Sequence, residues 1–104
     1  MNLVYRFANN LKSKVSAKVE ADKFGNVCFA KAGYVFKDGK DFGLDNETVL
    51  VVRNVDEAFE KHANELFKDI EGISKVEESK ASEIVRKINE EEEAAQSGFG
   101  SIFG

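Results

Sequence analysis

The sequence predicts an α+β domain, and three observations carry that prediction. Residues 47–53 form an apolar run rich in β-branched side chains, which is typical of a central strand. Residues 54–73 and 74–88 place apolar side chains at helical spacing, which indicates two consecutive helices. The dipeptide Asp38-Gly39 separates two shorter β-rich runs. We therefore expect an N-terminal helix, a three- to four-stranded and mostly antiparallel sheet, and two C-terminal helices on one face.

The N-terminal third predicts a helix followed by two strands. Apolar residues recur at helical spacing in residues 2–13, which predicts the first helix. Residues 15–21 alternate valine or alanine with polar residues, which predicts a half-buried strand. A turn is expected at residues 22–26, and the β-forming residues of 27–37 predict the next strand.

The middle of the chain predicts a hairpin and then the central strand. Asp38-Gly39 favours a two-residue type I′ turn, because both residue types tolerate a positive φ. The returning strand is expected over residues 40–44, a turn at 45–46 follows, and residues 47–53 form the most apolar strand.

Two capping boxes mark the predicted helices of the C-terminal half. Asn54, with Glu57 three residues later, predicts the start of the second helix. This helix is expected to end near Gly72, a typical residue after a helix C-terminus. Ser74 with Glu77 repeats the capping pattern and opens a third helix with a narrower apolar stripe.

The composition is that of one ordinary globular domain. The chain has 104 residues, 42% of them hydrophobic and 33% charged, which is enough to bury a modest core. The single cysteine, Cys28, has no partner for an intrachain disulfide. The start Met1-Asn2-Leu3 lacks the layout of a signal peptide, and no apolar run reaches membrane-spanning length. We expect a cytoplasmic protein with no membrane partner.

Charge divides the chain into a basic half and an acidic half. Residues 1–40 carry eight basic and three acidic residues, a net charge of +5, whereas residues 41–104 carry seven and sixteen, a net charge of −9. This asymmetry predicts either different partners for the two halves or a basic sheet that packs near acidic helices of the same molecule.

The basic half also allows a nucleic-acid hypothesis. Lysines are interleaved there with aromatic residues on predicted strands, a pattern that can track phosphates and stack bases. The aromatic residues are Phe24, Phe29, Tyr34, Phe36 and Phe42. The candidate contacts are Lys18, Lys23, Lys31, Lys37 and Lys40. The same aromatic residues are also the expected core of the sheet, and the overall charge of −4 disfavours a polyanion. Nucleic acid is therefore the less favoured partner.

The sequence contains no catalytic constellation, which predicts a non-enzymatic protein without a cofactor. The one histidine, His62, and Cys28 lack an orienting third group and an oxyanion donor. We interpret them as a boundary histidine and a buried thiol. No Cys/His cluster has zinc spacing, the acidic residues between 38 and 47 lack the spacing of a calcium loop, and no glycine-rich phosphate loop is present.

Residues 90–104 differ in composition from residues 1–89, and we expect them to form an acidic and then aromatic tail on a single domain. The acidic spacer consists of Glu90, Glu91, Glu92 and Glu93. A small polar stretch leads to large apolar residues in a Gly/Ser context, typical of a peptide that binds a pocket on another protein. The predicted anchors are Phe99, Ile102 and Phe103. The alternative is that the tail folds back over the protein's own sheet.

The end of the tail resembles a known class of docking peptide. Gly98-Phe99 followed by Ser101-Ile102-Phe103-Gly104 resembles the C-terminal peptides of DNA polymerases and late-transcription factors in large tailed phages. Those peptides dock in a hydrophobic groove of the phage sliding clamp. The acidic run before terminal phenylalanine is also similar to the tails of single-stranded-DNA-binding proteins, which recruit replication partners. The sequence departs from the clamp-binding pattern at Gly100-Ser101, where an acidic–aromatic pair is typical.

The resemblance implies a small phage-type accessory protein that docks on replication or late-transcription machinery, with the sliding clamp as the first candidate. The alternative is a virion structural protein, such as a capsid cement or head–tail connector component, whose terminal arms lock neighbouring subunits. The protein would lie in the host cytoplasm in the first case and in the virion in the second. The sequence leaves the oligomeric state and the identity of the partner open.

Overall fold

The computed structural model describes the backbone of residues 1–103 and the side chains of residues 1–95. Its helices and strands are β1 (Leu3–Ala8), α1 (Lys12–Ala21), α2 (Phe29–Ala32), β2 (Val35–Asp38), β3 (Glu47–Val52), α3 (Glu57–Phe67), β4 (Ser74–Lys75) and α4 (Glu78–Phe103). Short 3-10 helices precede α1 (Asn9–Leu11) and follow β2 (Gly39–Phe42). The predicted α+β class and the predicted central strand, now β3, are confirmed.

The four strands lie in the order β2-β3-β1-β4, and every neighbouring pair is antiparallel. In the central pair, Leu3 of β1 faces Val52 of β3, and Ala8 faces Glu47. It follows that β1 and β2 run in the same direction on either side of β3, and that β3 and β4 do so on either side of β1. With α1 linking the first two strands and α3 the last two, this is the split βαβ motif, to which α4 is added.

One face of the sheet is covered by α1, α2 and α3, and we call it the aromatic face. Odd-numbered residues of β1 and even-numbered residues of β3 point into it, because side chains alternate along a strand. Phe29 lies at its centre, with its ring centroid 4.9 Å from that of Phe59 and 5.6 Å from that of Phe67. The buried residues are Leu3, Tyr5, Phe7, Val15, Val19, Phe29, Leu50, Val52, Phe59, Ala63, Phe67 and Ile70.

The opposite face is covered by α4, and we call it the valine face. Valines of β1 and β3 form its floor, and aliphatic residues of α4 pack onto them. Its buried residues are Val4, Phe42, Val49, Val51, Val76, Ala81, Ile84, Val85 and Ile88. The two C-terminal helices, α3 and α4, thus lie on opposite faces rather than on one. The reason is β4, which pairs with the edge of β1, after which Val76 donates a hydrogen bond to the carbonyl of Val4 (2.8 Å) and turns the chain onto the valine face.

The N-terminal helix predicted at residues 2–13 is wrong over its first half, which forms β1. This strand is central and covered on both faces, so it has no alternation of buried and exposed positions. Its buried residues are Leu3, Val4, Tyr5 and Phe7. A continuous apolar run of this kind also fits helical spacing, and that coincidence misled the prediction.

The strand predicted at residues 15–21 is the helix α1. Val15 and Val19 are its buried residues, four positions apart, whereas the alanines at 17 and 21 are exposed. Alanine therefore produced an apparent alternation without being buried. The strand predicted at residues 27–37 is divided between the short helix α2 and the edge strand β2.

The type I′ hairpin predicted at Asp38-Gly39 is also wrong, since a 3-10 helix stands where the returning strand was expected. The carboxylate of Asp38 caps this helix by accepting a hydrogen bond from the backbone N–H of Lys40 at 3.1 Å. A β-carbon on Gly39 would lie 2.6 Å from the carbonyl oxygens of Leu44 and Glu47. The glycine is therefore required by the close approach of two backbone segments, not by a positive φ.

Both C-terminal helices begin later than their predicted caps. The N-cap of α3 is Asp56, whose carboxylate accepts a hydrogen bond from the backbone N–H of Phe59 at 3.0 Å. Asn54, the predicted cap, has a left-handed backbone with a φ of 59°. Ser74 belongs to β4, and α4 begins at Glu78.

Candidate docking surfaces

Helix α4 packs against the sheet through one stripe of side chains. That stripe ends at Ile88, and no side chain described after it is buried. Beyond Ile88 the helix is held by Arg53, which donates hydrogen bonds to Asn89 at 2.9 Å and to the two carboxylate oxygens of Glu92 at 3.1 and 3.3 Å. These groups are partly exposed, so each contact contributes at most about 1 kcal/mol.

The predicted acidic spacer, Glu90 to Glu93, lies within α4 rather than beyond it. All four residues are exposed. Glu91 and Glu92, with side chains 55% and 53% exposed, still reach the sheet through Lys37 at 3.7 Å and Arg53 at 3.1 Å. Two of the four glutamates thus tie the helix to the sheet, a role that the sequence did not predict.

The predicted anchors Phe99, Ile102 and Phe103 lie outside the residues whose side chains the structure describes. The stretch immediately before them, residues 90–95, is exposed throughout. The described part of α4 therefore ends in solvent.

A second candidate surface is the loop of residues 22–28 between α1 and α2, which we call the Phe24 loop. Phe24 is 84% exposed and Val27 39%, and with Met1 they are the exposed large hydrophobic residues of the described chain. Gly25 has a φ of 97°, a conformation that glycine adopts without strain. The sequence predicted a turn here but placed Phe24 among the sheet aromatics. The sequence signal that could have predicted this exposure was an aromatic residue next to Gly-Asn within a turn.

The ends of the Phe24 loop are fixed by Asp22 and Cys28. One carboxylate oxygen of Asp22 accepts a hydrogen bond from the backbone N–H of Phe29 at 2.8 Å and lies 2.7 Å from Nε2 of His62. The thiol of Cys28 is buried, with its sulfur 3.9 Å from the carbonyl oxygen of Gly25. His62 and Cys28 thus have the structural surroundings of a boundary histidine and a buried thiol.

An open cleft of about 540 Å³ adjoins this loop. The loop and α2 form one wall, and the residues that lead into α3 form the other. Its lining includes Val27, Cys28, Lys31, Val55 and Phe59. The volume lies in the range of sites that accept a small ligand or a few side chains of a peptide.

The five lysines predicted to contact nucleic acid do not share one surface. Lys18, Lys23 and Lys31 belong to α1, the Phe24 loop and α2, in the helical layer over the aromatic face. Lys37 points to the opposite side of the sheet and pairs with a glutamate of α4, and Lys40 lies in the 3-10 helix after β2.

Most of the aromatic residues expected to stack on bases are part of the core. Phe29 and Phe42 are buried, and they lie on opposite faces of the sheet. Tyr34 and Phe36 are half-buried, with their rings edge to face at 5.8 Å. Of this set, only Phe24 is freely exposed. The predicted array of lysines and aromatics on one sheet surface is therefore not formed.

The described side chains show no further polar site. Within residues 1–95, no three His, Cys, Asp or Glu side chains are placed to hold a metal ion. Every buried side-chain nitrogen or oxygen in the same part of the chain has a hydrogen-bond partner. Among the described helices, none combines the length and the hydropathy needed to cross a bilayer.

Comparison of the chain with family models, with curated proteins and with solved structures finds no match.

Proposed function

We propose that the chain is a non-enzymatic accessory protein of phage type that docks on a larger assembly through its C-terminal peptide. The observation that supports this most is the change of character along α4. Among its described side chains, burial ends at Ile88 and exposed glutamates follow, and large apolar residues then return in the sequence at Phe99, Ile102 and Phe103. Apolar residues that follow an exposed acidic stretch are typical of a segment that binds another protein.

The predicted anchors continue, in the sequence, the helical spacing of the buried residues of α4. Phe99 lies eleven positions after Ile88, about three helical turns, and Ile102 and Phe103 follow at three and four positions. In a helical peptide these three side chains share one face. This is the spacing by which an amphipathic helix binds in a hydrophobic groove.

The charge of the segment sets the chemistry of its partner. Each buried anchor contributes roughly 2 kcal/mol, and ordering the peptide offsets part of that gain. The glutamates disfavour an acidic surface, so the expected groove is apolar with a neutral or basic rim. The resemblance of residues 98–104 to clamp-binding peptides makes a sliding clamp the first candidate for this groove.

The test compares the full chain with a chain that ends at Ser97, using the purified sliding clamp encoded in the same genome as the partner. We expect the full chain to bind in calorimetry and the shortened chain not to bind, with equal thermal unfolding temperatures for both. The full-length triple variant Phe99→Ser, Ile102→Ser, Phe103→Ser is the matched control and should also fail to bind. Retained binding by the shortened chain would contradict the proposal.

The same two proteins distinguish the alternatives. A virion structural protein should self-assemble, so light scattering would show an oligomer of the full chain that is lost on truncation. A nucleic-acid-binding protein should bind oligonucleotides with an affinity that falls steeply with salt. Either result, in the absence of clamp binding, would replace the proposed function.

A further inference from the structure

We infer that the Phe24 loop and its adjoining cleft form a second docking surface, whose occupant is the C-terminal segment of another copy of the chain. The inference rests on the proposed function, because it takes residues 90–104 to be a docking peptide. It adds a partner that the proposed function does not contain, namely the chain itself in a head-to-tail contact.

The apolar part of this surface is concentrated in one place. Met1 and Val27 line the cleft, and Phe24 lies on the same loop as Val27. No other large hydrophobic residue of the described chain is exposed to this degree. Solvent-exposed apolar groups gathered beside a concave surface indicate an interaction site rather than the scattered exposure normal for a soluble protein.

The loop is held in shape before any partner arrives. Asp22 fixes the start of α2 through Phe29 and connects it to α3 through His62, and its side chain is only 10% exposed. The backbone N–H of Ala30 also donates to the carbonyl of Asp22 at 3.3 Å. A loop fixed at both ends loses little conformational freedom on binding, which favours association.

Lysine dominates the charge on this side: the α1–α2 segment carries five lysines against Glu20 and Asp22, and Asp56 lines the cleft. No carboxylate lies within ion-pair distance of any lysine of the α1–α2 segment in the described chain, and residues 96–104 contain no Asp or Glu. These lysines are Lys12, Lys14, Lys18, Lys23 and Lys31. Elsewhere, Lys37 of β2, Lys68 just after α3 and Lys80 of α4 pair with glutamates. Lys61 of α3 and Lys87 of α4 have no such partner among the described side chains. The α1–α2 side therefore presents positive charge for an acidic partner.

The C-terminal segment has the complementary chemistry. It carries four consecutive glutamates and then the apolar anchors Phe99, Ile102 and Phe103. An acidic stretch beside an apolar anchor matches a lysine-rich surface beside a cleft where Met1 and Val27 are exposed. Because α4 lies on the valine face, on the other side of the sheet from the cleft, we take the segment of a different copy as the occupant. Such a head-to-tail contact builds a ring or an open chain of copies and is expected to be weak.

The test titrates a labelled peptide of residues 90–104 with the chain ended at Ala95, which lacks the competing segment. This chain keeps every side chain that the structure describes, including Glu92 with its ion pair to Arg53. We expect saturable binding in fluorescence anisotropy, weakened by salt. Phe24→Ser should weaken it about tenfold or more, as loss of an anchor does, and the pair Lys23→Glu, Lys31→Glu should do the same and flatten the salt dependence.

Two controls make the result specific. Lys87→Glu reverses one charge on α4, half the change of the loop pair, and should leave peptide binding unchanged, while the peptide with serine in place of its three anchors should not bind. The inference is overturned if the peptide does not bind, if Phe24→Ser has no effect, or if Lys87→Glu is as damaging as the loop variants. It is also overturned if an oligonucleotide, and not the peptide, binds in a Phe24-dependent manner.

The outcome separates this inference from the proposed function. A peptide that binds a clamp but not its own chain removes the second docking surface and leaves the proposed function in place. A peptide that binds its own chain but no clamp supports the second surface and transfers the role of the tail to contacts between copies.

Discussion

The two faces of the sheet are built by different means. The aromatic face is closed by three helices around Phe29, whose ring meets the rings of Tyr34, Phe59 and Phe67 at centroid distances between 4.9 and 6.0 Å. The valine face is closed by α4 with branched aliphatic side chains. The first core joins segments from both halves of the chain, whereas the second depends on one helix at the end.

The polar contacts follow the same division. On the aromatic side they are partly buried: the carboxylate of Asp22, only 10% exposed, contacts Nε2 of His62, and the hydroxyl of buried Tyr5 donates to Asn64 at 3.2 Å. On the valine side, Arg53 and the glutamates of α4 meet at the exposed rim. Shielded hydrogen bonds are costly to leave unmade, whereas exposed ion pairs contribute little. We therefore expect the aromatic face to set the stability of the whole protein and α4 to be the element that opens separately.

The largest effect should come from Phe29→Ala. Removing this fully buried ring leaves a cavity among three other rings and should lower the free energy of unfolding by about 3–5 kcal/mol. That loss is a large part of the 5–15 kcal/mol typical of a domain. Phe42→Ala, the same change on the valine face, should cost less in urea denaturation followed by circular dichroism. An equal cost for both would remove the distinction between the faces.

The next effect should come from Ile88→Ala in α4. The expected loss is about 2–3 kcal/mol, and it cannot exceed the free energy with which α4 docks, because the sheet and the other helices remain folded. In hydrogen exchange, amides of α4 should exchange faster while those of β1 and β3 keep their protection. Uniform acceleration across the chain would show that α4 does not open on its own.

Alkaline pH should destabilise the protein by ionising Tyr5 on the aromatic face. Burial, and then the nearby charge of Glu60, raise the pKa of Tyr5 from 10.0 to about 12. A raised pKa in the folded state stabilises the protein fully below pH 10, and this stabilisation is lost as the pH rises toward 12, by up to about 2 kcal/mol.

Phenolate absorbance checks this directly in Tyr34→Phe, which leaves Tyr5 as the only tyrosine. We expect a midpoint near the raised pKa of Tyr5 in the folded chain. Titration at the ordinary pKa of tyrosine would contradict the burial of its hydroxyl.

A smaller effect is expected from His62→Ala. The substitution leaves the shielded carboxylate of Asp22 with the backbone N–H of Phe29, and should cost about 1–2 kcal/mol. His62→Gln retains a hydrogen-bond donor and should recover part of the loss in thermal unfolding. If the glutamine variant is no more stable than the alanine variant, the hydrogen bond to Asp22 is not what stabilises this contact.

The smallest effect is expected at the rim, with Arg53→Met. The methionine keeps much of the aliphatic packing but loses the contacts to Asn89 and Glu92, and should cost about 0.5 kcal/mol at low salt. The difference should vanish at high ionic strength, where exposed charges are screened. If the free energy of unfolding falls by more than about 2 kcal/mol and the loss persists in high salt, the rim contacts contribute more to holding α4 than exposed ion pairs do.

The two candidate docking surfaces differ in whether the sequence or the structure revealed them. The tail anchors Phe99, Ile102 and Phe103 were assigned from composition and stay a prediction. The Phe24 surface required the structure, because the turn at residues 22–26 is visible in the sequence but the exposure of its aromatic residue is not. The loop that carries this residue begins at Asp22, which contacts a histidine forty positions away.

The sequence by itself determined the elements whose local pattern agrees with their burial. These are the apolar strand β3 and the amphipathic helix α3, where Phe59 and Ala63 lie on one stripe. Only the tertiary structure decided β1, α1 and the face that α4 covers. Val4 is buried because α4 packs on it, and α4 enters the chain more than seventy positions later. Burial on both sides of a strand erases its alternation, so a local pattern does not contain the information that distant segments supply.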